Sequence, residues 1–149
     1  MGRKLGTTIY SPLASGVLTG KYNDEVPKDS RFTVEQYSYI KDSYLGGKNG
    51  NWEELVEKVR SLTLIADDLG CTTAQLAVAW CLKNGDVSTI LLGASKVEQL
   101  TENIGALHVA TTLTPDVMAA IEEVLGNKPV DNEKDFVRAS LAGNFPGQY

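Results

Sequence analysis

A chain of 149 residues, 42% hydrophobic and 22% charged, carries enough apolar material for one ordinary globular domain with a real core. Its formal net charge of −5 and the scatter of its 14 Lys and Arg argue against a nucleic-acid surface, because neutralising phosphates needs clustered cations. No apolar run approaches the roughly 18–20 residues that span a bilayer, and the opening MGRKLGTTIYSPL lacks the apolar region of a secretory signal, so no membrane insertion is expected.

In chain order, LGTTIYSPL (Leu5 to Leu13) is rich in β-branched and aromatic residues and stops at Pro12, which predicts a strand entering a loop. ASGVLTGKYNDEVPKDSRF reads as a long polar connection, a kind of loop that is often functional. From about Val34 to Leu45 a weak helical pattern follows, broken by GGKNGN (Gly46 to Asn51). WEELVEKVRSLTLIADDLG is a firmer helix. Leu55, Val59, Leu62, Ile65 and Leu69 recur at three- and four-residue steps, acids fill the first turn, and Gly70 provides the stop. A second helix starts at once, with Thr72 and Gln75 at capping-box spacing, and ends at the NGD turn, Asn84 to Asp86. VSTILLGAS is the second strand, and its apolar run Ile90 to Leu92 predicts burial on both faces, as in a parallel sheet. Ser95 and Glu98 repeat the capping-box spacing ahead of a helix whose apolar face is Val97, Leu100, Ile104 and Leu107. TPDVMAAIEEVLGNKP gives a last helix, with Thr114 as N-cap, Pro115 in the first turn and Gly126 past the end. Residues 130–149 lose all period and read as a mobile tail.

Strands alternating with helices indicate an α/β fold with parallel strands. Two strands, however, make neither a closed barrel nor a good open sheet, so the pattern reads as part of a larger fold.

Nucleotide-binding signatures are weak when taken singly. No G-x-G-x-x-G follows a strand, and GVLTGKY departs from a P-loop in glycine spacing and in having Tyr22 where Ser or Thr belongs. GASKVEQL is more suggestive: Gly93 permits close backbone approach, and the helix opening near Lys96 presents free N–H groups and a positive dipole end. An ordinary turn capped by Ser95 explains the same residues. Gln99, Glu102 and Asn103 share one helix face, fit either for an adenine edge or for solvent. Lys21 and Arg31 are the loop's natural anion ligands, and solvated loop cations are the plain alternative. Cys71 and Cys81 are the only cysteines and His108 the only histidine, so no metal cluster is expected; Cys81, set among Leu76, Ala77, Trp80 and Leu82, reads as a buried reduced thiol. His108 reads as a residue at a helix end. Nothing calls for an oxidising compartment, and the cytoplasm is the default expectation.

Taken together, YSPLASGVLTGKY, GCTTAQLAVAWCL, TILLGASKVEQLTENIGAL and LGNKP closely resemble the C-terminal part of the aldo-keto reductase superfamily. The branch most similar in wording contains the β subunits of voltage-gated potassium channels and related oxidoreductases. The resemblance runs from about Gly6 to Pro129, so residues 1–129 are expected to form a partial oxidoreductase domain ahead of the 130–149 tail.

The resemblance implies a (β/α)8 TIM barrel that binds NADP(H) in extended form and reduces aldehydes and ketones. Under it, TTIYSPL would be strand 7, STILLGAS strand 8 and Thr114–Leu125 an extra helix outside an incomplete barrel. Both strands would end at the C-terminal face, where barrel active sites lie. Tyr10 would stack on nicotinamide, and Ser11, Pro12, Leu13, Ala14 and Ser15 would line the pyrophosphate, with Lys21 and Arg31 nearby. Gly93, Ser95 and Gln99 would take the 2′-phosphate side, Glu102 and Asn103 the adenine. Asp29 stands where the channel subunits have Tyr, a departure at one adenosine contact.

The family's catalytic Asp, Tyr, Lys and His belong to earlier strands and have no counterpart in this sequence, so no catalytic residue is assigned. Tyr10, Lys21 and His108 occupy other motif positions. The implied partners are NADP(H), the missing N-terminal half of the barrel and a potassium channel. The alternatives are a regulatory channel subunit that senses NADPH and a truncated product without function.

Overall fold

A computed structural model describes residues 6–45 and 51–128. The predicted tail 130–149, Leu5 and the GGKNG segment (46–50) lie outside the described residues.

Strand β1 (Thr7–Tyr10) pairs in parallel with β2 (Val87–Leu91), and Thr8, Ile9 and Tyr10 lie opposite Thr89, Ile90 and Leu91. A bulge between Thr7 and Thr8 shifts the register. Between the strands come α1 (Ser38–Leu45), α2 (Trp52–Asp68) and α3 (Thr73–Lys83); after β2 come α4 (Val97–Ile104), α5 (Ala106–Thr112) and α6 (Pro115–Leu125). The alternation of strands and helices expected from the sequence is present. No single helix among the described residues is long and apolar enough to cross a membrane.

The helix ends follow local chemistry. Asn51 caps α2 by accepting from the Glu53 N–H at 3.0 Å, with Glu53 and Glu54 at the positive end of the helix dipole. The same helix stops in a Schellman arrangement, in which the Gly70 N–H donates to the Asp67 carbonyl and the Cys71 N–H to that of Ala66. Thr72 and Gln75 form both halves of the capping box of α3. Thr114 accepts from the Val117 N–H at 3.3 Å, with Pro115 behind it and Gly126 ending α6.

Two clusters hold these elements together. The larger packs Leu62 and Ala66 of α2 on Leu76, Val78 and Ala79 of α3, Ala106 and Val109 of α5, Leu113 just past α5 and Ile121 of α6. Ala79 and Ala106 have no exposed surface, so α3 and α5 approach on small side chains. Gly105, at the α4–α5 junction, has space for no more than a hydrogen: a Cβ there would stand 2.5 Å from Gln75 Nε2, which donates to the Glu102 carbonyl at 2.8 Å. A shared hydroxyl contact, Thr63 to Thr73 at 3.0 Å, joins α2 to α3. The smaller cluster buries Val17, Tyr22, Phe32 and Val59.

Four expectations are corrected. Ile90 and Leu92 pack on the larger cluster, but Leu91 is 56% exposed, so among the described residues β2 is covered on one face only. Val97, Leu100, Ile104 and Leu107 all point to solvent, with Val97 76% exposed, because the buried side of α4–α5 is instead Asn103, Ala106 and Val109. His108 lies inside α5 rather than at a helix end. Cys81 is half-buried, not buried.

Replacing Ala79 by Leu forces extra methylenes into the α3–α5 contact. It should lower the unfolding free energy by about 1–3 kcal/mol, read as a lower urea midpoint at unchanged slope.

Candidate functional site

Because the strands are parallel, their C-terminal ends lie at the same edge, with Tyr10 opposite Leu91. Two loops therefore leave side by side, one through Ser11 and the other through Leu92.

The first loop turns sharply. Ser11, Ala14 and Ser15 have φ of 54°, 47° and 60°, and Gly16 follows at 97°. Left-handed backbone in a non-glycine residue costs roughly 1–2 kcal/mol, so three in one turn persist only where the surroundings impose them. The Ala14 N–H donates to the Ser11 carbonyl at 2.9 Å and the Gly16 N–H to that of Leu13 at 2.8 Å. The irregular 3-10 segment Ala14–Thr19 is then pinned by Val17 in the smaller cluster, while Leu13 packs against the larger. Gly16 is favoured by its φ of 97°, and the end of the Lys21 side chain lies against it: a Cβ there would stand 2.7 Å from Lys21 Cε and 2.8 Å from Nζ. The Lys21 ammonium thus lies folded over the turn, 4.9 Å from the Tyr22 ring centroid. Arg31 is exposed, its guanidinium carbon 5.2 Å from the Tyr37 ring centroid.

This segment is not the open polar loop that its composition predicts, since Val17, Tyr22 and Phe32 within it are buried. Sequence reasoning missed Tyr22 and Phe32 as supports. The available signal was an aromatic directly after Lys21 and another directly after Arg31.

In the second loop Gly93, Ala94 and Ser95 are exposed, and Lys96 is the N-cap of α4 with no side-chain cap. The predicted Ser95–Glu98 capping box does not form. Gln99 Oε1 instead accepts from the Ser95 N–H at 2.9 Å and from its hydroxyl at 3.2 Å, because an amide one turn on reaches both donors at once. This leaves the first N–H groups of α4 without a side-chain acceptor at the positive end of the helix. Glu102 is exposed, with its carbonyl taken by Gln75, whereas Asn103 is buried at 4% exposure. Tyr10, 78% exposed, stands at the end of β1.

The strand pairing accordingly brings Tyr10–Ser15 and the Gly93–Gln99 turn to one edge, and Lys21 folds back onto the first of these. What the arrangement offers chemically is anion binding: exposed turns and a helix N-terminus, with cations whose charge no acid takes up. Among the described residues neither Lys21 nor Arg31 pairs with a carboxylate. A groove of about 290 Å³ between Tyr22–Val26 and Trp52–Arg60 lies apart from these turns. There Arg60 is already spent on Glu57 at 2.6 Å, Asp24 at 3.0 Å and the Asn23 carbonyl at 2.8 Å, and the two carboxylates, Glu57 first, raise its pKa further. No group of three or more His, Cys, Asp or Glu among the described residues is placed to hold a metal ion.

Neither cysteine is an activated nucleophile. Burial raises the pKa of both thiols, with the nearby Asp67 carboxylate adding to the effect at Cys71. The neutral thiol is therefore favoured in the folded chain, and its contribution to stability is full below the unfolded thiol pKa and lost as pH rises through the folded one. Both cysteines should react with a disulfide reagent several-fold more slowly than in the urea-unfolded chain at pH 8, and unfolding should become easier above about pH 9. Equal labelling rates in the two states would contradict this.

A model of the Aldo/keto reductase family matches residues 3–126. Over 126 residues the chain is 46% identical to a probable voltage-gated potassium channel subunit beta of Arabidopsis thaliana, an alignment covering 84% of this chain and 37% of that relative. The chain thus matches well under half the length of that protein.

Proposed function

This chain belongs to the aldo/keto reductase family, and from that premise we propose that it forms the NADP(H)-holding part of a (β/α)8-barrel carbonyl reductase. In this reading β1 and β2 are strands 7 and 8 of the barrel. The family fold is the (β/α)8 barrel, and two parallel strands among helices fit a portion of one.

The observation that carries the proposal is the left-handed turn Ser11–Gly16, directly after β1, with the unpaired Lys21 ammonium folded over it. Strained backbone of this kind clusters at ligand clamps, and here it lies at the edge where barrel active sites lie, which supports a pyrophosphate cradle. Backbone N–H groups and hydroxyls of Ser11–Ser15 bind the pyrophosphate, with Lys21 and Arg31 supplying charge. Gly93 admits the 2′-phosphate to the N-terminus of α4, where Ser95 and Gln99 hold one another ready. Glu102 and the inner Asn103 lie on the same helix for the adenine. The exposed Tyr10 ring takes the nicotinamide face. When bound, the cofactor supplies a hydride for a carbonyl carbon. The proton for the nascent alkoxide has to come from a group this chain does not contribute, because the family's Asp, Tyr, Lys and His fall outside it.

A second reading is favoured by the Arabidopsis relative's description alone: a β-subunit-like protein that docks on a potassium channel. With the cofactor reading above, such a protein would also respond to NADPH. Co-purification with a channel's cytoplasmic domain supports that reading, and failure to bind one removes it. A cytoplasmic location goes with both readings.

Calorimetric titration of the purified chain tests the cofactor assignment. NADP+ should bind at least about tenfold more tightly than NAD+, the difference shrinking as salt is added, since the 2′-phosphate meets charge-assisted donors. Equal affinities would remove the 2′-phosphate assignment. With NADPH and a simple aromatic aldehyde the chain should show no turnover; sustained NADPH consumption would show that it contains a proton donor after all.

A further inference from the structure

The sequence sets an aromatic residue directly after each of two loop cations, in Lys21–Tyr22 and Arg31–Phe32. The fold stacks these two aromatics on one another, with ring centroids 4.3 Å apart and planes 8° from parallel. Both are almost wholly buried, at 3% and 2% exposure. Phe32 carries the stack onward to Tyr44 of α1 at 5.8 Å and to Trp52 of α2 at 6.2 Å. Pinning both rings inside fixes the backbone on which both cations stand, and Lys21 and Arg31 remain exposed.

Each cation also rests on an aromatic face, Lys21 on Tyr22 and Arg31 on Tyr37, rather than on an acid. A π face orients a cation without neutralising it, so the charge stays available to a further ligand. Lys21 is confined from its other side by the turn at Gly16.

We propose that the Tyr22–Phe32 stack positions Lys21 and Arg31 as a two-cation clamp for the phosphates of the dinucleotide, with Phe32 as the positioning residue that links them. The proposal rests on the cofactor reading above and assigns a role to residues that themselves touch no ligand. If Phe32 only filled the smaller cluster, its truncation would act on stability and not through Arg31.

The test is a double-mutant cycle on the full chain, with NADP+ and, in parallel, inorganic pyrophosphate as titrants. Phe32→Leu should weaken NADP+ binding roughly tenfold, the order of one charge-assisted contact, and Phe32→Tyr should restore it by keeping a stackable ring. Arg31→Gln alone should give a comparable loss, and the double variant should lose clearly less than the two losses multiplied together, because part of what Phe32 does it does through Arg31. Losses that simply multiply would overturn the clamp.

Proton NMR of the unmutated chain gives an independent readout that requires no variant to fold. The Lys21 ε-methylene should resonate upfield from the Tyr22 ring current, and an ordinary lysine shift would overturn the proposal. Pyrophosphate binding with the same Phe32 dependence in a chain that ignores NADP+ would keep the clamp and remove the cofactor reading. Binding of neither titrant would overturn the clamp.

Discussion

The parallel pairing of β1 with β2 is the contact on which the candidate site depends. The residues of the two strands are far apart in sequence, and only their alignment, with Tyr10 beside Leu91, makes the turns that follow them neighbours. An antiparallel pair would send the same turns to opposite ends. A parallel pair needs a long crossover, and here the crossover contains α1, α2 and α3 together with the loop that carries Lys21 and Arg31. The segment that connects the strands thus also supplies the charge for the site.

Support for the site comes from two different kinds of packing. α2, α3, α5 and α6 pack on small and branched aliphatic residues, with alanines at the closest approach, which sets a firm base behind β2. The smaller cluster is aromatic and holds a turn that would otherwise relax, since three of its non-glycine residues adopt left-handed backbone. α2 belongs to both, through Leu62 and Ala66 on one side and Val59 on the other. Against this, one side of the sheet and the Val97–Leu107 stripe stay open to water. Large apolar side chains grouped on a single helix face are the mark of a surface built for contact.

How much of this was legible in the sequence depended on how local the cause was. Caps were legible where the side chain has one dominant partner: Thr72 with Gln75, and Thr114 followed by Pro115, form as their spacing indicates. At Ser95 two partners compete, and the amide at Gln99 wins over the acid at Glu98, which spacing alone does not resolve. Periodicity located the strands and the buried face of α2, but not that of α4–α5, where Asn103, Ala106 and Val109 turn inward instead. It marks which residues favour burial, but not whether a neighbour is present to bury them, so Leu91 and Val97 came out exposed. The aromatic stack was the least legible feature. Tyr22 and Phe32 sit singly in a polar, non-periodic stretch, and their partnership is created by the tertiary fold. The assignment of Ser11–Ser15, Gly93 and Gln99 to a cofactor came from the combined wording of several motifs, for no single one carried it.

If strand pairing makes one phosphate-binding edge from two distant segments, the two should respond to ligand as one. In a nitrogen–proton NMR titration of the chain with NADP+, the amides of Ser11–Gly16 and of Gly93–Gln99 should shift together and fit a single dissociation constant. Shifts confined to one segment, or two segments titrating with different constants, would contradict a single edge.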